Sequence, residues 1–177
     1  QNSLLKTLEE PPEFVTIILI GSNENAFLTT IKSRCMIIRF NSVDNKTMTE
    51  YLQSQGIENV TENMLELFQG SIGKAIELKD KQEEYLKIEK MIENISNYDL
   101  IDVTKNAEIL YQTKEEIMEM LDYINIVLLR LSRNNTKYTN CIKIVENTKK
   151  RLKQNANYDM CIDNLLFNMW EEIVWKI

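Results

Sequence analysis

A chain of 177 residues, 44% apolar and carrying a net charge of −6, has room for one ordinary domain or two to three small ones. This composition excludes disordered and fibrous classes. The acidic balance also argues against a surface that grips nucleic acid throughout, because phosphate affinity comes mostly from Lys and Arg. No apolar run approaches the roughly 20 residues that cross a bilayer, so no membrane span is expected. Histidine is absent, which removes the commonest general base and the commonest metal ligand together. Cys35, Cys141 and Cys161 are odd in number and far apart, fitting neither a disulfide framework nor paired zinc-ligand spacing. Reduced thiols in the cytoplasm and no metal site are the expectation.

The first residues, Gln1-Asn2-Ser3-Leu4-Leu5-Lys6, show neither a basic leader nor an apolar signal core. No initiator Met is present and a helical pattern is already running, so a preceding segment is expected. Leu4, Leu5 and Leu8 share a helix face that stops at Pro11-Pro12. Val15-Thr16-Ile17-Ile18-Leu19-Ile20 is an almost unbroken β-branched run, the pattern of a strand buried on both faces of a parallel sheet. Met36-Ile37-Ile38-Arg39-Phe40 reads as a second strand. A short helical stretch around Ala26, Phe27, Leu28 and Ile31 lies between them, at the spacing of a right-handed βαβ crossover. Two strands are marginal alone, so the remaining strands are expected in the preceding segment.

From Asn41 the pattern becomes helical. Thr47 to Gln55 forms an amphipathic helix with Met48, Tyr51 and Leu52 inward, stopped by Gly56. Thr61 caps a helix over Glu62 to Phe68, and Gly70-Ser71 breaks it before Ile72. After Lys79 there is neither glycine nor proline. The remaining spans read as Ile72–Ser96, Asp99–Tyr111, Lys114–Arg133, Lys137–Asn155 and Tyr158–Trp175. Ile117, Leu121, Ile124, Leu128 and Leu131 form one inner stripe; Met160, Leu165, Leu166, Met169, Trp170 and Ile173 form another. The Met and aromatic residues near Met169, Trp170 and Trp175 read first as intrachain core, with a packing surface for another subunit as the alternative. Lys149-Lys150-Arg151-Lys153 reads first as a solvated face and secondarily as a DNA patch.

The stretch Asn2-Ser3-Leu4-Leu5-Lys6-Thr7-Leu8-Glu9-Glu10-Pro11-Pro12 resembles the helix after the Walker B strand in bacterial DNA polymerase III clamp-loader subunits, members of the AAA+ family. The run that follows, then Ser22, then Ser33-Arg34-Cys35, is similar to that family's sensor 1 and SRC motifs in order and distance. The resemblance is close over the first forty residues, and the rest agrees in helix number and length alone. It implies a mostly α chain with a small α/β remnant. Residues 1–40 would be the end of an AAA+ nucleotide-binding domain with a partial sheet, 41–80 a three-helix lid, and 81–177 a helical collar that joins subunits into a ring.

The resemblance also implies roles for single residues. Arg34 would be an arginine finger, offered in trans to the γ-phosphate of a neighbour's ATP; a guanidinium suits this because it stays charged and presents fixed donors. The bland reading of Arg34 is a surface arginine ending a helix. This expectation requires Arg34 to face outward beside a strand pair. Ser22 would hold the sensor 1 position, where open α/β sheets bind ligands, or would simply cap a helix starting at Glu24 or Asn25. Gly70-Ser71-Ile72-Gly73-Lys74-Ala75 is similar to the sensor 2 motif, but Gly73 stands where hydrolysing relatives carry arginine. Lys74 would substitute only with a shifted backbone.

No Walker A loop occurs in the sequence. That absence bears on this chain and not on the whole protein; it is Gly73 that favours a delta prime-type structural subunit over a gamma/tau-type ATPase fragment. Such a subunit holds no cofactor in this chain and catalyses nothing itself. Its implied partners are the gamma/tau and delta subunits, with the sliding clamp and primer-template DNA reached through the complex. A third reading is a helical protein-interaction module outside the family.

Overall fold

The helices begin and end where side-chain chemistry dictates. The computed structural model describes residues 4–77 and 79–175. Among these residues it contains ten α-helices: α1 (Leu5–Glu9), α2 (Thr29–Lys32), α3 (Asn45–Ser54), α4 (Glu62–Phe68), α5 (Ile72–Glu77), α6 (Gln82–Asn94), α7 (Leu100–Gln112), α8 (Ile117–Ser132), α9 (Lys137–Lys153) and α10 (Tyr158–Val174). Asp44 caps α3 by accepting from the Thr47 amide, Thr61 caps α4 from Met64, and Asn157 caps α10 from Met160. Asp99 and Asp102 form a reciprocal capping box at α7. Each cap satisfies an amide that the first helical turn leaves unpaired.

Two compact units divide the chain, Gln1–Asn41 and Ser42–Ile177. The first holds α1, a 3-10 turn over Glu24–Ala26 and α2. Here the expectation of a sheet remnant is overturned: no strand forms among the described residues, and Val15–Ile20 and Met36–Phe40 have no regular structure. The physical reason is the absence of a ladder. A fully apolar parallel strand needs neighbours at its edges and cover on both faces, and two such runs cannot supply either to each other. Ile20 and Phe40 are accordingly more than 90% exposed. The βαβ crossover is corrected with the strands, leaving this unit α-helical and irregular.

The second unit is built on one continuous core that runs from Met48 in α3 to Ile173 in α10. Helix α8 is its centre, packed against α4, α6 and α9, while α10 packs against α9 and α7. The stripe Ile117, Leu121, Ile124 and Leu128 is buried, with Leu131 half-buried. Met120, Tyr123 and Val127 are buried too, because helices cover α8 on more than one side. In α10 the stripe Leu165, Leu166, Met169, Trp170 and Ile173 is buried, whereas Met160 is exposed. Met160 sits in the first turn, outside the packed part of the helix.

The span expected as one helix over Ile72–Ser96 is divided. A 3-10 turn over Lys79–Lys81 separates α5 from α6, and another over Ile95–Asn97 follows α6. Gly70 sets the entry to α5. Its φ is +76°, and a Cβ there would stand 2.4 Å from Ser42 Cβ and 2.6 Å from the Val43 carbonyl oxygen. The Val43 amide donates to the Gly70 carbonyl at 3.1 Å, so the chain entering α3 lies directly against this turn.

Candidate functional site

Arg34 follows the C-cap of α2, in the first unit. One Nη1–H donates to the Thr30 carbonyl at 2.9 Å, and Nη2 donates to Glu9 Oε1 at 2.5 Å. The guanidinium is thus held between the end of α2 and α1, with its side chain 35% exposed to solvent. It is on the surface and outside any apolar core. The strand pair that the finger expectation requires beside it is not formed among the described residues, so of its two conditions only the outward position is met. An ion pair this exposed contributes about 0–1 kcal/mol, so the Glu9 tie orients the guanidinium without committing it.

Ser22 lies exposed at a bend before the 3-10 turn Glu24–Ala26. Its capping alternative is corrected, because Asn23 caps this turn, accepting from the Asn25 amide at 2.9 Å. Asn reaches the second amide beyond itself from that position, which leaves Ser22 one residue too early. Ser22 instead lines an open concavity of ≈ 400 Å³ together with Glu24, Phe27, Lys32 and Arg39. Glu24 Oε2 accepts from both Arg39 Nε and Arg39 Nη2, at 3.1 and 2.8 Å. A carboxylate at the rim is an unfavourable neighbour for a phosphate, and Arg39 offsets that charge.

Gly73 and Lys74 belong to the second unit, in the first turn of α5. Ser71 Oγ caps this helix by accepting from the Lys74 amide at 3.3 Å. A Cβ built on Gly73 would meet nothing within 4 Å, so a side chain here would be free to extend. Lys74 is committed elsewhere: its Nζ donates to the Leu67 carbonyl at 3.1 Å and pairs with Glu119 Oε1 of α8 at 3.5 Å. The ammonium closes the C-terminal end of α4, where a cation complements the helix dipole. The motif therefore presents no free cation at either position.

A buried polar cluster that periodicity did not reveal joins α4, α6 and α8. Glu89 of α6 is nearly excluded from solvent. Its carboxylate accepts from Tyr123 Oη at 2.6 Å, Asn63 Nδ2 at 2.5 Å, Arg130 Nη2 at 3.2 Å and Thr61 Oγ1 at 3.3 Å. Arg130 also pairs with Glu93. Four donors balance the desolvation of the carboxylate. Burial and the Glu89 hydrogen bond together push the Tyr123 phenol well above the usual tyrosine range. A signal was present in the sequence: Tyr85, Glu89 and Ile92 fall at i, i+4 and i+7, which puts the carboxylate on the apolar face of α6.

The basic run on α9 is not uniform. Lys149 is largely buried and holds Asp122 Oδ1 at 2.7 Å and Glu146 Oε1 at 3.0 Å. Burial pulls its ammonium down, but the two carboxylates more than offset this and its affinity for the proton is raised. Lys150, Arg151 and Lys153 remain exposed in the last turn. Cys141 and Cys161 are buried and Cys35 is half-buried, all three as free thiols. Trp170 donates from Nε1 to the Tyr98 carbonyl at 2.7 Å within the core, whereas Trp175 is 70% exposed. Among the described residues no group of acidic and thiol side chains has metal-binding geometry, and no helix is long and apolar enough to cross a membrane.

Residues 1–44 match the family described as DNA polymerase III, delta subunit. The chain is 22% identical over 225 aligned residues to DNA polymerase III subunit gamma of Buchnera aphidicola subsp. Schizaphis graminum, covering 97% of this chain and 62% of that protein. It is 38% identical over 56 residues to subunit delta' of Buchnera aphidicola subsp. Baizongia pistaciae, 32% of this chain and 17% of the relative. With subunit delta' of Bacillus subtilis it shares 32% identity over 82 residues, 46% of this chain and 25% of that protein. The matched segments thus span less than two thirds of the length of each of these relatives. No solved structure matches the chain.

Proposed function

For a chain that belongs to the DNA polymerase III clamp-loader subunit family, we propose the role of a delta prime-type structural subunit, one that offers Arg34 to ATP held by a neighbour. Residues 1–40 are then the end of a nucleotide-binding module, 41–80 a lid and 81–177 a collar. The collar joins gamma/tau and delta subunits in a cytoplasmic assembly that delivers the sliding clamp to primer-template DNA. The chain itself holds no cofactor and performs no catalysis.

The observation that carries this reading is Gly73, which brings no side chain to the position. Hydrolysing relatives use an arginine at the sensor 2 position. Here the side chain is missing, and the adjacent lysine is spent on Leu67 and Glu119. Arg34 stands at the surface in the Ser33-Arg34-Cys35 motif, on an ion pair to Glu9 about as exposed as that of Lys74. Among the described residues it lacks the strand pair that its assignment called for beside it; a phosphate can compete with the Glu9 carboxylate for the guanidinium. A phosphate accepts two parallel N–H bonds from a guanidinium, and its charge exceeds that of the Glu9 carboxylate.

A second reading, a gamma/tau-type ATPase, is favoured by the extent of the gamma similarity, which runs over nearly the whole chain. Nucleotide turnover by the full-length purified protein separates the two. A delta prime-type subunit gives none above a heat-denatured control, and turnover that survives repurification assigns the gamma/tau type.

A further inference from the structure

The C-terminal half of α9 and the middle of α10 border an open groove of ≈ 490 Å³ in the second unit, with Ile144 and Thr148 also in its lining. Its walls carry Asn147, Lys150, Arg151 and Gln154 from the α9 side, with Asn164 and Asn168 from α10. From this arrangement we infer that the groove receives a short acidic peptide segment of a partner protein.

Charge sets this groove apart from the rest of an acidic chain. Among the described residues no carboxylate lines it, and neither Lys150 nor Arg151 has an ion-pair partner. Their neighbour Lys149 is neutralised by Asp122 and Glu146 on another side of α9. Cations in the last turn of a helix complement its dipole. That effect accounts for their presence at the end of α9, but it says nothing about the lack of a carboxylate in the groove lining, although α10 carries acidic residues elsewhere. It also leaves the amide-rich opposite wall without an explanation.

The amides decide between two polyanions. A peptide backbone offers both N–H donors and C=O acceptors, and Asn and Gln side chains match both. A phosphodiester offers acceptors alone. Asn164 already donates through Nδ2 to the Met160 carbonyl at 2.6 Å, which leaves its Oδ1 as the atom for a ligand. That atom pairs with a peptide N–H and repels a phosphate oxygen. No aromatic ring lines the groove to stack a base. The net charge of −6 further penalises a long polyanion more than a segment with a few carboxylates.

Titration of the 177-residue chain with fluorescein-labelled hexaglutamate, followed by anisotropy at low salt, tests the proposal. Saturable binding is expected, weakened roughly tenfold or more by Lys150→Glu with Arg151→Glu, since two charge-assisted contacts are reversed. The double alanine variant weakens it less, and Lys46→Glu, on α3, leaves it unchanged. Addition of hexaglutamate to isotope-labelled protein should shift the side-chain amide signals of Asn164 and Asn168. A labelled hexaglutamine control should not bind. The inference is overturned by absence of binding, by binding that the charge reversals do not alter, or by a short duplex DNA that binds more tightly and displaces the peptide.

Discussion

The phenol of Tyr123 donates a 2.6 Å hydrogen bond to Glu89 Oε2 in the interior of the helical unit, and this contact ties α8 to α6 at the point where α4 arrives. Its neighbour Tyr85 stacks edge-on against Tyr123, with ring centroids 4.8 Å apart at 88°. The two tyrosines are equally buried, yet the Tyr85 hydroxyl has no hydrogen-bond partner among the described residues. They should therefore respond in opposite ways to loss of the hydroxyl. Tyr123→Phe removes a donor from a buried carboxylate and should cost about 1–3 kcal/mol in urea unfolding. Tyr85→Phe relieves an unsatisfied group and should be neutral or slightly stabilising. Equal losses for both would show that the Glu89 cluster has no special place in stability.

Alkaline pH should unfold the protein through these same groups. Burial, first of all, keeps the Tyr85 and Tyr123 phenols protonated far above their ordinary value of 10.0, and Tyr111 and Tyr158 are pushed up to about 12. Above pH 10 the unfolded chain loses these protons while the native chain keeps them. The native state then binds more protons, so stability falls as pH rises. Their contribution is complete below pH 10 and declines from there through the raised folded-state values. Urea midpoints measured across this range should fall, and less steeply in Tyr123→Phe.

Gly70 and Gly73 stand three residues apart and should answer oppositely to substitution. At Gly70 a side chain meets both a positive φ and the crossing segment at Ser42 and Val43. Gly70→Ala should cost about 2–4 kcal/mol, combining left-handed strain with overpacking. At Gly73 the space is open, so Gly73→Ala should stabilise by about 0.5–1 kcal/mol through helix propensity alone. Thermal unfolding of the two variants checks both signs.

Limited proteolysis should separate the two units. Residues 11–22 and 35–41 carry exposed backbone outside regular structure, whereas Ser42–Ile177 encloses a continuous core. Cleavage is expected first within residues 11–41, leaving a helical product that starts near Ser42 and unfolds cooperatively. Initial cuts between α7 and α10 would contradict the description of the core.

The helical unit was legible because its punctuation is explicit. Gly56, Gly70 and the Thr61 cap mark the ends of the short helices, and the stripes of α8 and α10 mark their buried faces. The 3-10 turns at Lys79–Lys81, Ile95–Asn97 and Lys114–Glu116 were not legible, since these polar or mixed residues continue a helical pattern without a breaker. Val15–Ile20 misled for a different reason. β-branched apolar composition states what a segment prefers when paired, and a ladder is a property of its neighbours rather than of its own residues. Among the site residues, exposure of Arg34 followed from its motif. The partner Glu9 lies 25 positions away, beyond the reach of any local rule, and so does the Glu119 tie that commits Lys74.

The role assigned to Arg34 is tested most directly by ATP turnover in the reconstituted clamp loader, with sliding clamp and primer-template DNA present. Full-length subunit carrying Arg34→Ala should enter the assembly normally, while stimulated hydrolysis at the adjoining nucleotide site falls by roughly 10³-fold or more. Arg34→Lys should restore little, because an ammonium lacks the planar fork. A stimulated rate equal to that of the unaltered assembly would contradict the account.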